Sequence, residues 1–272
     1  MKYAFMSFST PTLSLADTLR LAQDLGYAGI EPRVARDHAH AIELERTPRE
    51  RKEIVDLVSD SGIEICCLAL STQYVQTTPS LLEETRRYIE LASDVGCKRL
   101  RIFGGALPDG MDRDRATEIV IEGLSHSAAD AQSAGVTLCL ETHDAWTHPD
   151  HVAAVLRQVD HPNVAVNWDI MHPVRTSHVS MQESFQVLRP WIRHVHVHDG
   201  TLSDPLVLKP CGEGEIDIRT ALACLLEIQY SGYISGEWIG DKPRIDPADE
   251  IARLIAMESD LSKEVQPHVL ST

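Results

Sequence analysis

The strongest constraint in this sequence is a repeated alternation. Short apolar runs with strand character fall at residues 3–8, 29–31, 64–70, 99–103, 137–141, 165–169, 194–198 and 234–237. Segments of helical length separate them. Leu15, Leu19, Ala22 and Leu25 line one helical stripe, and Ile119, Ile121, Leu124, Ala128 and Ala131 a second, wider one. Several of the runs are almost continuously apolar, as strands covered on both faces should be. Strand and helix in strict alternation make an α/β pattern. Eight such units favour closure into a (β/α)8 TIM barrel over an open sheet, and 272 residues is close to the size of one barrel. No Pro/Ser-rich linker or low-complexity block interrupts residues 1–272, so a single domain is expected. No G-x-G-x-x-G follows the first run, which argues against a dinucleotide-binding sheet.

Helix ends are marked where the alternation needs them. Thr47-Pro48-Arg49-Glu50 offers a cap, a proline in the first turn and a capping-box glutamate. Ser80-Leu81-Leu82-Glu83 is a second capping box, and Asp246-Pro247-Ala248-Asp249 opens the last helix. Gly26, Gly62, Gly96 and Gly135 each stand after a helix and before a strand, where a left-handed residue is wanted.

Charge and cysteine usage narrow the function class. Acidic residues outnumber basic ones 41 to 25, for a formal charge of −16. That balance favours solubility and disfavours nucleic acid and anionic membranes. No apolar run reaches the length of a membrane span. The start, Met1-Lys2-Tyr3-Ala4-Phe5-Met6, reads as a strand and not as a signal peptide. Cys66, Cys67, Cys97, Cys139, Cys211 and Cys224 form no C-x-x-C pair, and several sit in apolar runs. They are expected to be buried thiols of a cytoplasmic protein, not disulfides or a thiolate metal site.

Four of the apolar runs end in or carry ionisable residues. Glu141 closes one, Asp169 another and Glu237 the last, while His194, His196 and His198 share one face of a fourth. Each alone has a plain structural explanation: a first-turn charge, a helix cap, a core histidine. Together they fall at the C-terminal ends of consecutive strands, which are neighbours at one mouth of a closed barrel. Three carboxylates and one imidazole suit one divalent ion such as Mn, Co, Mg or Zn. Periodicity does not choose among the three histidines.

These motifs carry a family likeness. Leu-Glu at 140–141, Trp-Asp-Ile-Met-His at 168–172, His-Val-His-Val-His-Asp at 194–199, Gly-Glu-Gly-Glu-Ile-Asp at 212–217 and Gly-Tyr-Ile-Ser-Gly-Glu at 232–237 resemble the sugar isomerase/epimerase superfamily of xylose isomerase-like TIM barrels. Leu25-Gly26-Tyr27-Ala28-Gly29-Ile30-Glu31 is similar to that group's entry into its second strand. The resemblance spans nearly the whole chain. It implies metal ligands at Glu141, Asp169, His196 and Glu237, with His196 singled out by its position three residues before Asp199. It implies Glu141 and Glu237 as the base and acid that move a substrate proton through a metal-stabilised enediolate. It places His172 on substrate oxygens and Gly212-Glu213-Gly214 at the border of the site. Lys209 is the nearest basic residue where the epimerases carry an arginine. Arg101 is either a substrate contact or an interior arginine paired with a carboxylate. The implied substrate is a small polyhydroxy carbonyl compound (a sugar, ketose or inosose). No Gly-rich loop with Lys or Ser/Thr near the mouth suggests phosphate. A homo-oligomer is also an expectation of the resemblance.

Three rival functions share this barrel. A metal-dependent dehydratase would use the same residues and expel a β-hydroxyl. A phosphodiesterase of the apurinic endonuclease type needs histidines after strands two and three and an Asp-x-His after strand seven, which Leu68-Ala69-Leu70-Ser71, Ile102-Phe103-Gly104-Gly105 and Cys211-Gly212-Glu213-Gly214 lack. An inert binding subunit would not need all four ligands. Of the remaining polar and aromatic residues, Trp168 and Trp238 adjoin proposed ligands and are either pocket wall or core, like Trp146 and Trp191. His143-Asp144, His38 and His40 read as loop residues, and the tail 262–272 has no clear pattern.

Overall fold

The computed structural model describes residues 1–238 and 245–265. Local chemistry starts the helices. Thr47 caps α2 (Pro48–Ser61): its hydroxyl accepts from the Glu50 amide while the Glu50 carboxylate accepts from the Thr47 amide, completing the capping box. The second box is displaced. Thr78, not Ser80, caps α3 (Pro79–Asp94), accepting from the Leu81 amide. Pro79 takes the first helical position, where its fixed φ is already correct, so the helix begins before the serine. Gly26, Gly62 and Gly135 end α1 (Leu15–Leu25), α2 and α4 (Arg113–Ala134) in the left-handed conformation. The last described helix, Pro247–Val265, starts with the Ala248 amide donating to the Asp246 carboxylate. Residues 266–272 of the tail lie outside the described residues.

The strands are β1 (Lys2–Met6), β2 (Gly29–Glu31), β3 (Glu64–Ile65), β4 (Leu68–Gln73), β5 (Arg99–Phe103), β6 (Thr137–Glu141), β7 (Val164–Asp169), β8 (Ile192–Val197), β9 (Asp199–Gly200), β10 (Leu208–Lys209) and β11 (Tyr233–Gly236). All but β9 and β10 run parallel in one sheet, ordered β3-β2-β1-β11-β8-β7-β6-β5-β4. The run at 64–70 is one barrel position broken at Cys66-Cys67: β3 pairs with β2, and β4 pairs with β5. An Arg33–Ala69 bridge closes the seam, with the Val34 amide donating to Ala69 O (3.2 Å) and the Ala69 amide to Pro32 O (3.0 Å). The ring is a (β/α)8 barrel. The first strand is shorter than the run at 3–8, because Ser7–Ser9 winds into a 3-10 turn. β9 and β10 form an antiparallel ribbon that strand–helix alternation does not anticipate.

Period-2 alternation sorts each strand's side chains. Leu138, Leu140, Val164, Val166, Trp168, Val195 and Val197 join the large apolar cluster between strands and helices. The residues between them face the barrel axis, and there the interior is polar: Glu31, Arg101, Glu141, Asn167, Asp169, His194, His196 and His198 are all buried. A small apolar cluster of Ala4, Cys66, Cys67 and Tyr233 is separate from the main core. Most barrels fill this space with bulky branched side chains. Trp168 packs on Phe185 and donates to Ser184 Oγ (3.0 Å), and Trp146 donates to Gly105 O (3.0 Å), so both belong to the core. All six cysteines are buried free thiols. No helix among the described residues is long and apolar enough to cross a membrane.

Core and cap should differ in cost. Leu140→Ala, in the fully buried layer beneath the helices, is expected to lose about 2–5 kcal/mol of unfolding free energy. Thr47→Ala is expected to lose about 1 kcal/mol. Equal denaturation midpoints for the two variants would contradict this division.

Candidate metal centre and substrate pocket

Strand register brings the four proposed ligands together. Asp169 lies directly opposite His196 across the β7–β8 ladder. Ser235 lies opposite His196 on the other side, and the Glu237 amide donates to Val197 O (3.0 Å) just beyond. Glu141 is the last residue of β6, beside Asn167. One ligand atom from each of Glu141, Asp169, His196 and Glu237 lies within 4.8 Å of the others, and all four residues are buried. His196 Nδ1 is 3.0 Å from Glu141 Oε1 and 3.1 Å from Glu237 Oε2.

The donor set fits a divalent cation. Glu141 Oε2, Asp169 Oδ2 and Glu237 Oε2 are buried with no hydrogen-bond partner. Arg101 Nε comes within 3.0 Å of the first and His198 Nε2 within 2.9 Å of the second, but neither approach has hydrogen-bond geometry. Buried carboxylate oxygens left bare are costly. Three buried carboxylates grouped with one imidazole make a donor set suited to a hard or borderline ion.

A residue absent from the sequence-derived site orients it. Glu31, at the end of β2, bonds His196 Nε2 through Oε1 (3.0 Å) and His194 Nε2 through Oε2 (2.8 Å). Burial would push its carboxyl up, but the two imidazoles outweigh burial and hold it well below the usual range. A carboxylate behind a histidine fixes which ring nitrogen faces a metal; here it turns Nδ1 toward the cluster. The signal was present in sequence, since Glu31 also closes an apolar run. Asp169 is oriented differently: its Oδ1 accepts from the Met171 (2.8 Å) and His172 (3.1 Å) amides at the start of the helix Met171–Ser177, which leaves Oδ2 facing inward. The helix-cap and ligand readings of Asp169 are therefore compatible. Arg101 is fully buried, paired with Glu141 and donating to Leu70 O (2.7 Å), so it takes the interior, carboxylate-paired place. Cys67 lies near Glu31 and His194. Burial pushes its thiol well above the usual range.

A cavity of about 380 Å³ opens beside the cluster. His143, His172, His198 and Glu237 line one part; Met171, Leu206, Val207 and Leu208 line another. His172, the expected substrate contact, is one of the lining residues. Lys209 is not among the lining residues; Leu206, Val207 and Leu208, the three residues before it, are. His143 is not a plain loop residue: its ring packs on Phe103 (4.7 Å) and His172 (4.5 Å). Burial lowers its pKa, but the Asp144 carboxylate 2.8 Å away and Glu141 raise it to about 9. His40 is buried and bonded to Arg33 O (3.1 Å), and His38 is held by Ser7 Oγ (2.8 Å). Asp199 anchors the Gly212-Glu213-Gly214 turn: Oδ2 accepts from the Gly212 (2.8 Å) and Gly214 (3.0 Å) amides. A Cβ on Gly214 would overlap that carboxylate, which explains the glycine.

A family model described as a xylose isomerase-like TIM barrel matches residues 19–257. A putative hydroxypyruvate isomerase of Xenopus laevis is 26% identical over 170 residues, 58% of this chain and 59% of that protein. A 3-dehydroshikimate dehydratase of Bacillus anthracis is 25% identical over 217 residues, 76% of this chain and 74% of that protein. Among solved structures, an L-ribulose 3-epimerase superposes with a TM-score of 0.78 at 17% identity, covering 100% of this chain and 99% of that one. At that identity the superposition speaks to fold alone.

Glu31→Gln should weaken divalent-ion binding by about 10- to 100-fold while the circular dichroism spectrum is kept. Titration with Mn or Co reads this; unchanged affinity would remove Glu31 from its orienting role.

Proposed function

The chain belongs to the xylose isomerase-like TIM-barrel family, and we propose that it is a divalent-metal-dependent isomerase or epimerase of a small polyhydroxy carbonyl compound. The observation that carries this reading is the grouping of Glu141, Asp169, His196 and Glu237, one ligand atom of each within 4.8 Å of the others, with one oxygen of each carboxylate buried without a hydrogen bond, at the edge of an open cavity. Glu141, Asp169, His196 and Glu237 would hold the ion, which would be Mn, Co, Mg or Zn. When bound, it supplies Lewis-acid polarisation of a carbonyl and neutralises the charge of an enediolate.

The protein's own groups do the rest. Glu237 both belongs to the cluster and lines the cavity, so its carboxylate meets a substrate carbon directly. Glu141 approaches from a different strand, steadied by Arg101 at 3.0 Å. The two carboxylates act as base and acid, one taking the proton α to the carbonyl and the other returning it to the same or the adjacent carbon. His172 holds a substrate hydroxyl, and the apolar Met171, Leu206, Val207 and Leu208 keep water from the reacting carbon.

A second reading, a dehydratase on the same barrel, is favoured by the 3-dehydroshikimate dehydratase relative. It shares the proton abstraction and differs in expelling a β-hydroxyl. Product analysis separates the two, because dehydration creates an absorbing conjugated double bond.

With Mn or Co present, the protein should wash deuterium from solvent into the carbon α to the carbonyl of its substrate, and a chelator should stop it. Glu237→Gln should slow that exchange by about 100- to 10,000-fold with the fold retained. Exchange at the native rate in Glu237→Gln would overturn the assignment.

A further inference from the structure

Arg33 sits just past β2, two residues beyond Glu31 and on the same inner face, and is only 3% exposed. Among the described residues no carboxylate lies within ion-pair distance of it. Nη1 donates to Ala69 O (3.0 Å) and Nη2 to Ser71 Oγ (2.6 Å), while Nε is buried without a partner. The exposed Arg36 donates to the same Ser71 oxygen (3.1 Å), so two guanidinium groups share one neutral hydroxyl. Buried charges are ordinarily paired. Burial, then the fields of Arg101 and Arg36, press the Arg33 pKa down to about 9, and Glu237 and Glu141 are close enough to oppose this. A guanidinium does not give up its proton under such pressure; by position, Arg33 just past the end of β2 and Ser71 toward the end of β4 stand at the same mouth of the barrel as the carboxylate cluster. In a chain of net charge −16, this grouping is not background.

We propose that the substrate carries an oxyanion, a carboxylate or a phosphate, gripped by Arg33 and Arg36 with Ser71 bracing both guanidinium groups. The proposal rests on the reading of the site as one for hydroxy-carbonyl compounds and narrows it from neutral sugars to acids or phosphate esters. It needs no Gly-rich loop, because planar guanidinium forks bind either oxyanion bidentately. Arg33 also staples the β2–β4 seam through Ala69, so stability alone does not test its role.

The test is calorimetric binding to the Mn-loaded protein with pairs alike in carbon skeleton and different in charge: hydroxypyruvate against dihydroxyacetone, and ribulose 5-phosphate against ribulose. In at least one pair the anionic member should bind about 10- to 100-fold more tightly, and the pair that shows it distinguishes carboxylate from phosphate. Arg33→Gln and Arg36→Gln should each remove about tenfold of that preference, and Arg33→Lys should restore part of it. Hydroxypyruvate can also chelate the ion, so the arginine dependence decides. Equal binding within both pairs, or a preference that survives both glutamine variants, overturns the proposal. If Arg33→Gln does not fold, the exposed Arg36→Gln carries the comparison. Binding does not require turnover: an arginine-dependent anion preference without deuterium exchange refutes the isomerase reading alone, and exchange on neutral ketoses bound as tightly as their anionic partners refutes this one alone.

Discussion

Three carboxylates brought out of water within reach of one another form the constraint on which the mouth of this barrel depends. Left to themselves they repel, and each buried oxygen forfeits its hydration. The surrounding structure answers with positive charge and hydrogen-bond donors on every side: Arg101 beside Glu141, His198 and two helix amides around Asp169, and His196 between Glu141 and Glu237. Even so, one oxygen of each carboxylate remains without a hydrogen bond. A cation held among Glu141, Asp169, His196 and Glu237 would offset the charge that these groups leave unanswered.

The polar character extends below the mouth. His196 reaches down to Glu31, and Glu31 reaches across to His194, so a carboxylate–imidazole chain occupies space that branched aliphatic side chains fill in most barrels. The outer faces of the same strands compensate. Val164, Val166, Trp168, Val195 and Val197 lie in a continuous apolar layer under the helices, and that layer supplies the burial the interior does not. Stability and chemistry are thus assigned to opposite faces of the same strands.

Fold class was legible because alternation is a local property. Each apolar run needed only its own residues to be read as a strand, and eight of them favoured closure. The misreadings share one cause: they turn on neighbours far away in sequence. The run at 64–70 breaks because its first half pairs with β2 and its second with β5. His143 reads as a loop residue until Phe103 and His172 are seen packed against it. Among His194, His196 and His198, alternation gives one face and no order; only the register Asp169–His196 and the contact with Glu31 separate them.

The sequence by itself determined the barrel, the strand ends that carry charge and the kinds of ligand atom on offer, since periodicity and residue chemistry are written one residue at a time. The tertiary structure decided which oxygens are left bare, that Glu31 stands behind His196, and that Arg33 is buried among positive charges without a described counter-ion. These depend on distances between strands separated by many tens of residues, and such distances exist only once the ring has closed.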